Sequence, residues 1–246
     1  MMKSFKISFI IILMLAGSYG MVKGYRRWLK RSDAFKIRTV QVTGNDLLSK
    51  KEILELGKVN EGDPTWEKDL SNIKKGVESY PFIESVDVRR VLPDMLKIDV
   101  HEKVAVALLK FDKELFCVDK EGLVLPSRPG RLYDLPIMSG DFKGGVREGS
   151  RVGGPMFEKG LTFINEILEE QPRLYPEISE IVLDKQGVSL YLKTGGIPVI
   201  WGNDDDALKM HSCYAMIQEI QEKKMRAEIA YIDLRFRGQV ILGMRS

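Results

Sequence analysis

Histidine and cysteine are scarce in this sequence, with two of each among 246 residues. His101 and His211 lie far apart, and neither has a histidine or cysteine neighbour at the spacing of a metal site, so each is interpreted as structural. Cys117 and Cys213 occur in apolar patterns, which favours two buried thiols. A disulfide between them is the alternative if this part of the chain is exported. The sequence predicts no metal centre.

Catalytic motifs are also lacking. The stretch GGVREGSRVGGP, residues 144–155, has no G-K-[ST] ending to place a lysine and a hydroxyl on a phosphate, and it is predicted to be a flexible surface loop. Asp204, Asp205 and Asp206 precede a helical pattern, where carboxylates cap the first turn and interact with the helix dipole. No nucleophile elbow and no Cys/His pair occur. We therefore predict a protein that is not an enzyme, with no catalytic residue, no cofactor and no small-molecule substrate.

An excess of charge of one sign is missing too. The formal net charge is only +3, and the basic residues are spread along the chain without an aromatic-interleaved patch, which argues against nucleic acid as a partner. Hydrophobic residues make up 44% and charged residues 30%, a composition typical of globular proteins. The length leaves room for one large or two small domains.

One long hydrophobic run is present, at the N-terminus. Residues 7–22 are uncharged, and as a helix they would measure about 24 Å. Snorkelling lysines at both ends extend this length to that of a transmembrane helix. The prediction leaves a short cytoplasmic tail at residues 1–6 and a basic juxtamembrane linker at residues 23–34. A cleaved signal peptide is the alternative, with small residues at 16–18 but no complete cleavage motif.

The next part of the chain has the pattern of a small α+β domain. Ser49 and Glu52 form a capping box before a helix that ends near Gly57. Pro93 and Asp94 turn the chain between two alternating segments. The predicted elements, in the order β-α-α-β-β, are a strand in residues 35–44, helices in residues 49–57 and from residue 69, and strands in residues 86–89 and 96–101.

This pattern resembles the POTRA domain of the bacterial division protein family FtsQ/DivIB. The family's first strand has the form F-x-I-x-x-V-x-V-x-G, which residues 35–44 match. Its next signature, P-[WF]-[VI]-x-x-[AS]-x-V-[RK]-R-x-x-P-x-x-[LI]-x-I-x-V-x-E, is matched by residues 81–102 almost position for position. The segment IAYIDLRFRGQVIL, residues 229–242, resembles the family's closing strand pair. The resemblance is weaker between residues 110 and 176 and places the POTRA domain at residues 35–103.

Residues 104–246 are predicted to form a second, mixed α/β domain with a largely antiparallel sheet. Pro155 fits the first turn of a helix, and a second helix follows the three aspartates and ends near Lys224. Strand patterns occur in residues 104–111, 115–126, 178–184, 188–194, 197–201, 230–235 and 239–244. The predicted fold class is α+β, with an N-terminal transmembrane helix, a POTRA domain and this second domain.

The resemblance implies a single-pass, non-enzymatic scaffold of the division complex in the inner membrane at the septum. Its N-terminus would be cytoplasmic and both domains periplasmic, although the positive-inside rule alone favours the reverse, because more basic residues follow the run than precede it. The implied partners are FtsB and FtsL, the division translocase and the septal peptidoglycan synthases. Two other functions stay open: a POTRA-containing export or assembly factor, and a signal-cleaved periplasmic binding protein.

The resemblance also implies a binding site for FtsB on the closing strand pair. Arg235 would pair with an acidic residue of FtsB, Phe236 would be an aromatic anchor, and Gly238 would let the two backbones approach. Val240 begins the last apolar strand, and residues 239–244 carry no charge, which is typical of an edge open to another strand. In the alternative interpretation Phe236 is a core residue and Arg235 forms an internal salt bridge.

A second surface is expected on the POTRA domain, where the resemblance implies recruitment to the division site. Arg89 and Lys97 are the residues expected to mediate it, within the region from residue 69 to residue 100. The alternative for Arg89 and Arg90 is a solvated strand face with one salt bridge.

Overall fold

The structure is a computed structural model that describes residues 14, 17–21, 23–24, 35–127, 132–203, 207–236 and 238–245. The chain divides into two compact units, Met1–Glu102 and Lys103–Ser246. Each unit has its own hydrophobic core. Strands and helices occur in both, which confirms the predicted α+β class.

The first unit, from residue 35 onward, is a three-stranded sheet with two helices. Its elements are β1 (Thr39–Thr43), α1 (Lys50–Leu56), α2 (Leu70–Glu78), β2 (Ile83–Val91) and β3 (Met95–Glu102). β3 lies in the middle, parallel to β1 and antiparallel to β2. The order β-α-α-β-β is the predicted one.

The start of α1 follows directly from the sequence. The N–H of Glu52 donates to the Ser49 hydroxyl at 3.3 Å, and the N–H of Ser49 donates to the Glu52 carboxylate at 2.8 Å. These two bonds satisfy backbone donors that the helix leaves unpaired. Gly76 of α2 approaches α1 so closely that a Cβ would lie 2.3 Å from the carbonyl oxygen of Leu56. A side chain at Gly76 would therefore push the helices apart.

The second unit is a nine-stranded sheet with two long helices. Its helices are α3 (Pro155–Glu170) and α4 (Ala207–Glu222). Its strands are β4 (Ala105–Phe111), β5 (Glu114–Asp119), β6 (Val124–Leu125), β7 (Ile137–Gly140), β8 (Ile178–Asp184), β9 (Gly187–Leu192), β10 (Pro198–Gly202), β11 (Ile229–Asp233) and β12 (Ile241–Met244). The strand order is β12-β11-β10-β9-β8-β7-β4-β5-β6. Most neighbours are antiparallel, as predicted, and β4–β7, β7–β8 and β10–β11 are parallel.

A single cross-strand row of apolar side chains forms the centre of this unit. The row consists of directly paired residues on six adjacent strands, each with no exposed surface: Leu109, Met138, Ile181, Leu190, Val199 and Ile232. Each such side chain contributes about 1.5–3 kcal/mol through burial. The two helices join the same core, where Phe163 of α3 meets Trp201 of β10 edge to face, with ring centroids 5.0 Å apart. The row fixes the register of these six strands relative to one another. The last of them, β11, in turn pairs with β12.

Two features of the second unit differ from the sequence-based predictions. β7 is a strand that the predictions omit, and it lies between β4 and β8. The glycine-rich stretch is a surface loop, as predicted, and its second half makes backbone hydrogen bonds that the sequence does not indicate. There the N–H of Val124 donates to Ser150 at 2.9 Å, and the N–H of Val152 donates to Gly122 at 2.9 Å. Arg151 also pairs with Glu121 at 2.6 Å.

Some predicted segments fall outside the described residues. These are the tail at residues 1–6, most of the proposed membrane-spanning run 7–22, most of the linker 23–34, and the capping aspartates 204–206. Within the part of the chain that the structure describes, no helix combines the length and the hydropathy needed to span a membrane.

Candidate functional site

One edge of the large sheet is covered by the chain itself. β6 pairs with β5 on one side. On its other side the N–H of Gly149 donates to the carbonyl oxygen of Val124 at 2.9 Å, and the N–H of Val124 donates to the carbonyl oxygen of Ser150 at the same distance. The glycine-rich loop therefore closes this edge against other strands.

The other edge is β12, and no strand in the described parts of the chain pairs with its outer side. Leu234 donates its N–H to Ile200 of β10 at 2.9 Å, so the backbone groups of the preceding residue, Asp233, face β12. Asp233 is paired with Ile241, which therefore directs its own N–H and C=O toward β11. Those of the next residue, Leu242, point away from the sheet. Leu242 thus presents one donor and one acceptor at an open edge.

The side chains of this edge are apolar. Leu242 and Val240 pack against the core, whereas Ile241 is 39% exposed and Met244 is exposed as well. Natural edge strands usually carry charges, prolines or bulges that prevent pairing with other chains. Residues 239–244 contain neither a charge nor a proline, so β12 is suited to accept another strand. Val240, predicted as part of the strand, lies just before it.

The turn between β11 and β12 exposes an aromatic ring. Phe236 is 51% exposed, so the alternative that places it in the core is wrong. The N–H of Gln239 donates to its carbonyl oxygen at 3.1 Å and closes the turn. Gly238 has φ +71°, a left-handed conformation that disfavours residues with a Cβ.

Arg235 makes the internal salt bridge that the sequence leaves open as an alternative. Its Nη2 lies 2.7 Å from Oδ2 of Asp233, and its Nε and backbone N–H each donate to Oδ1 at 3.0 Å. These hydrogen bonds lower the pKa of Asp233, whose side chain is buried. About half of the Arg235 side chain is still exposed, so part of its positive charge faces solvent.

The POTRA residues Arg89 and Lys97 converge on one carboxylate. Arg89 Nη2 lies 2.7 Å from Oδ2 of Asp99, and Lys97 Nζ lies 3.1 Å from Oδ1. The Thr43 hydroxyl donates to the same carboxylate, and this bond, followed by the one from Arg89, holds the pKa of Asp99 well below its usual range. The salt bridge expected in the alternative interpretation is therefore present, and Arg89 remains largely exposed. A recruitment role for these residues stays a prediction.

Comparisons with known proteins cover nearly the whole described chain. Residues 35–103 match the family model "POTRA domain, FtsQ-type", and residues 107–235 match "Cell division protein FtsQ/DivIB, C-terminal". A protein named cell division protein FtsQ from Syntrophotalea carbinolica is 30% identical over 86% of this chain and 74% of its own length. The chain belongs to the FtsQ/DivIB family of cell division proteins.

Two further FtsQ/DivIB relatives show the spread of the family. FtsQ of Geotalea daltonii is 29% identical over 89% of this chain and 79% of its own length. DivIB of Clostridium tetani is 24% identical over 85% of this chain and 79% of its own length. The C-terminal family model ends at residue 235, so β12 and its turn are characterised by the structure and not by that match.

Two charged residues of the FtsQ/DivIB signature have structural partners. Arg90 donates through Nε to the carbonyl oxygen of Thr65 at 2.8 Å and through Nη2 to that of Lys68. Glu102 accepts from the backbone N–H groups of Asp46 and Leu47 at 2.7 and 2.6 Å. Each side chain ties a loop to the sheet, which explains these residue types in the motif without a substrate.

Each histidine lies near a single polar partner, and both cysteines are buried. His101 is exposed 3.7 Å from Asp87, and Nδ1 of His211 lies 3.0 Å from Nε2 of Gln171. Cys117 and Cys213 are buried and are not joined by a disulfide, in agreement with the favoured interpretation of the sequence. Burial raises the pKa of Cys213 to about 12. Among the described residues, no group of three or more histidine, cysteine or acidic side chains could hold a metal ion.

One pair of residues beside the open edge at β12 was not predicted from the sequence. The ring of Tyr231 on β11 lies across Gly243 on β12, where an added Cβ would be 2.2 Å from the ring. Tyr231 is partly exposed and, with Ile241, extends the apolar surface beside the open backbone. A glycine opposite an aromatic residue in a strand pair is the signal that could have indicated it.

Proposed function

We propose that this chain is a single-pass, non-enzymatic scaffold of the division complex, located in the inner membrane at the septum. Residues 7–22 form its transmembrane helix after a cytoplasmic tail at 1–6, and residues 23–34 link the helix to the periplasmic part. The POTRA domain occupies residues 35–103 and the second domain residues 104–246. Family membership, the uncharged N-terminal run and two separately cored units support this arrangement.

The open edge at β12 is the observation that carries the proposal. It presents the backbone donor and acceptor of Leu242, has no charged side chain, and belongs to a sheet whose opposite edge is closed by its own loop. We assign this edge to FtsB, which adds an extended segment as a tenth strand and brings FtsL with it. A free edge is the feature that strand addition requires, and an enzyme would not need it.

The residues around the edge take separate roles in this interaction. Phe236 offers an exposed ring as an anchor, and Gly238 keeps the turn free of side chains that would block a partner's backbone. Arg235, held in place by Asp233, directs its exposed half toward an acidic residue of FtsB. Val240 packs against the core and sets the start of β12.

The POTRA domain supplies a second contact in this proposal. Arg89 and Lys97 form a cationic pair around Asp99 on the face of β2 and β3, and this face recruits the protein to the division site. The division translocase is the upstream partner assigned to it, and the septal synthases are contacted later in assembly.

Depletion in living cells tests the scaffold proposal. Cells that lose the protein should become filamentous, because septal synthesis no longer reaches the division site. An alkaline-phosphatase fusion at Ser246 should be active, since the C-terminus is placed in the periplasm. Short cells after depletion would contradict the division role, and an inactive fusion would contradict the orientation.

A further inference from the structure

The open backbone of β12 extends beyond Leu242. Arg245 donates its N–H to the carbonyl oxygen of Glu228 at 2.6 Å, so its backbone is directed to the segment that leads into β11. Ile241 directs its backbone groups to β11 as well, and these groups alternate in direction along a strand. Leu242 and Met244 therefore both present their N–H and C=O at the open edge.

One face of this edge is built from an aromatic ring, a glycine and an isoleucine. Tyr231 is paired with Gly243, and Ile241 lies two residues before Gly243, so all three share a face of the sheet. Tyr231 and Ile241 are each 39% exposed. A Cβ added to Gly243 would lie 2.5 Å from Cδ1 and 2.6 Å from Cζ of the ring, so the ring extends over the glycine. A strand added at the edge would meet this ring at the position opposite Gly243.

The sequence of this edge is complementary to itself. When two copies of β12 pair antiparallel about a two-fold axis at Leu242, Ile241 of each copy lies opposite Gly243 of the other. Each Ile241 side chain then lies beside the Tyr231 ring of the other copy. Like residues come close together in such a pair, and residues 239–244 carry no charge, so no like charges repel each other.

The residue that faces Ile241 decides the register of this pairing. A two-fold axis one residue later would place Ile241 opposite Arg245 of the other copy, which is charged. The axis at Leu242 avoids this contact and sets Val240 opposite Met244, both of them apolar. It also lets the two Leu242 residues exchange a pair of hydrogen bonds, because each presents one donor and one acceptor.

We propose that β12 pairs antiparallel with β12 of a second copy of this chain about Leu242, and that this dimer closes the edge until FtsB replaces the second copy. The replacement rests on the proposed function, whereas the pairing rests on the edge itself. The paired segment is short, residues 240–244 of each copy. In the proposed arrangement both copies are anchored in one membrane, which raises their effective concentration and allows a short pairing to suffice.

Disulfide formation between added cysteines tests the pairing on the full chain. The protein is reconstituted in phosphatidylcholine vesicles without FtsB, and Leu242→Cys is oxidised with copper phenanthroline. Facing residues of a hydrogen-bonded antiparallel pair have Cα atoms about 5.5 Å apart, within the range of a disulfide. We expect Leu242→Cys to form disulfide-linked dimers. Wild type should form none, because its Cys117 and Cys213 are buried.

Met244→Cys is the matched control for random collision. Met244 is 54% exposed on the same strand, but in this register its two copies lie about 14 Å apart, four strand positions from each other. Its dimer yield should be about a tenth of that of Leu242→Cys or less, because a disulfide cannot span this distance. Circular dichroism confirms that both variants are folded. An equal or higher yield from Met244→Cys, or no dimer from folded Leu242→Cys, would overturn the pairing.

Complementary charges show whether the partner strand is a second copy. In the Leu242→Cys background, Ile241→Lys and Ile241→Glu should each lower the dimer yield about tenfold, because apolar contacts are lost and like charges meet across the axis. When the two variants carry different tags and are reconstituted together, cross-linking between the tags should recover. A mixture that gives no more dimer than either variant alone would overturn self-pairing.

Added FtsB separates the dimer from the assignment of the edge. FtsB should lower the yield of Leu242→Cys dimers, because one strand edge accepts one further strand. Dimers that persist with FtsB bound would overturn the replacement. If no dimers form while FtsB still co-purifies with the chain, the self-pairing is wrong and the proposed function stands.

Discussion

Replacing Asp233 by asparagine should lower the free energy of unfolding of the second unit by about 1–2 kcal/mol at neutral pH. The side chain is buried, and its carboxylate accepts the backbone N–H, Nε and Nη2 of Arg235. Hydrogen bonds to a charged group contribute about 1.5–3 kcal/mol each in favourable cases. Water competes for the half-exposed guanidinium, which reduces the total to the stated range.

The pH dependence of this difference has a definite sign. Hydrogen bonds from Arg235 lower the pKa of Asp233 in the folded state, so the folded protein binds this proton less readily than the unfolded chain. The stabilisation is therefore fully present above the unfolded pKa of about 3.9 and is lost as the pH falls through the lowered folded value. Asparagine cannot titrate, so the gap between wild type and variant should close as the solution becomes acidic.

Urea unfolding followed by the fluorescence of Trp201 measures both effects. Phenylalanine replaces Trp28 and Trp66, so that the signal reports the second unit alone. Asp134→Asn is the matched control, because Asp134 pairs with Lys193 while its side chain is 90% exposed, and it should change stability by less than about 0.5 kcal/mol. Equal stability of Asp233→Asn and wild type, or a difference independent of pH, would refute the reasoning.

Three further predictions follow from particular residues. The double variant Arg89→Glu and Lys97→Glu should fold but lose septal localisation, since two carboxylates replace the cations around Asp99; full localisation would remove this face from the proposal. Cys213 should resist alkylation at mildly alkaline pH until the protein unfolds, because burial raises its pKa to about 12; labelling of the native protein at the unfolded rate would contradict this. Gly243→Val should displace the ring of Tyr231 and speed its iodination, and an unchanged rate would show that the ring does not depend on the glycine.

Much of the fold could be predicted because its local signals agree with its tertiary structure. The capping box of Ser49 and Glu52 depends on four consecutive residues and formed as expected. Gly57 ends α1 at the predicted position. Its own backbone is right-handed, however, and the residue with a left-handed backbone is the next one, Lys58, with φ 51°. The alternation of apolar residues in β3 correctly identified its buried face.

The features that escaped prediction depend on distant contacts. β7 has only four residues, too few for alternation to be recognised, and its parallel neighbours on both sides define it as a strand. Glycine content alone predicts mobility for residues 144–155, but the backbone bonds to Val124 are formed by residues far away in sequence. Asp233 could have been predicted as the partner of Arg235, because residues two apart on a strand lie on the same face.

Co-purification of FtsB with edge variants tests the central claim most directly. Ile241→Lys places a charge on the exposed side of β12 and should prevent another strand from pairing with it. Arg235→Glu should repel the acidic residue of the partner. Val240→Pro disturbs the start of the same strand. Leu115→Lys is the matched control: Leu115 is similarly exposed but lies on β5, which has strands on both sides. We predict that Ile241→Lys, Arg235→Glu and Val240→Pro lose FtsB while Leu115→Lys retains it. Folded edge variants that bind FtsB with wild-type affinity would contradict the assignment of β12 as the docking edge.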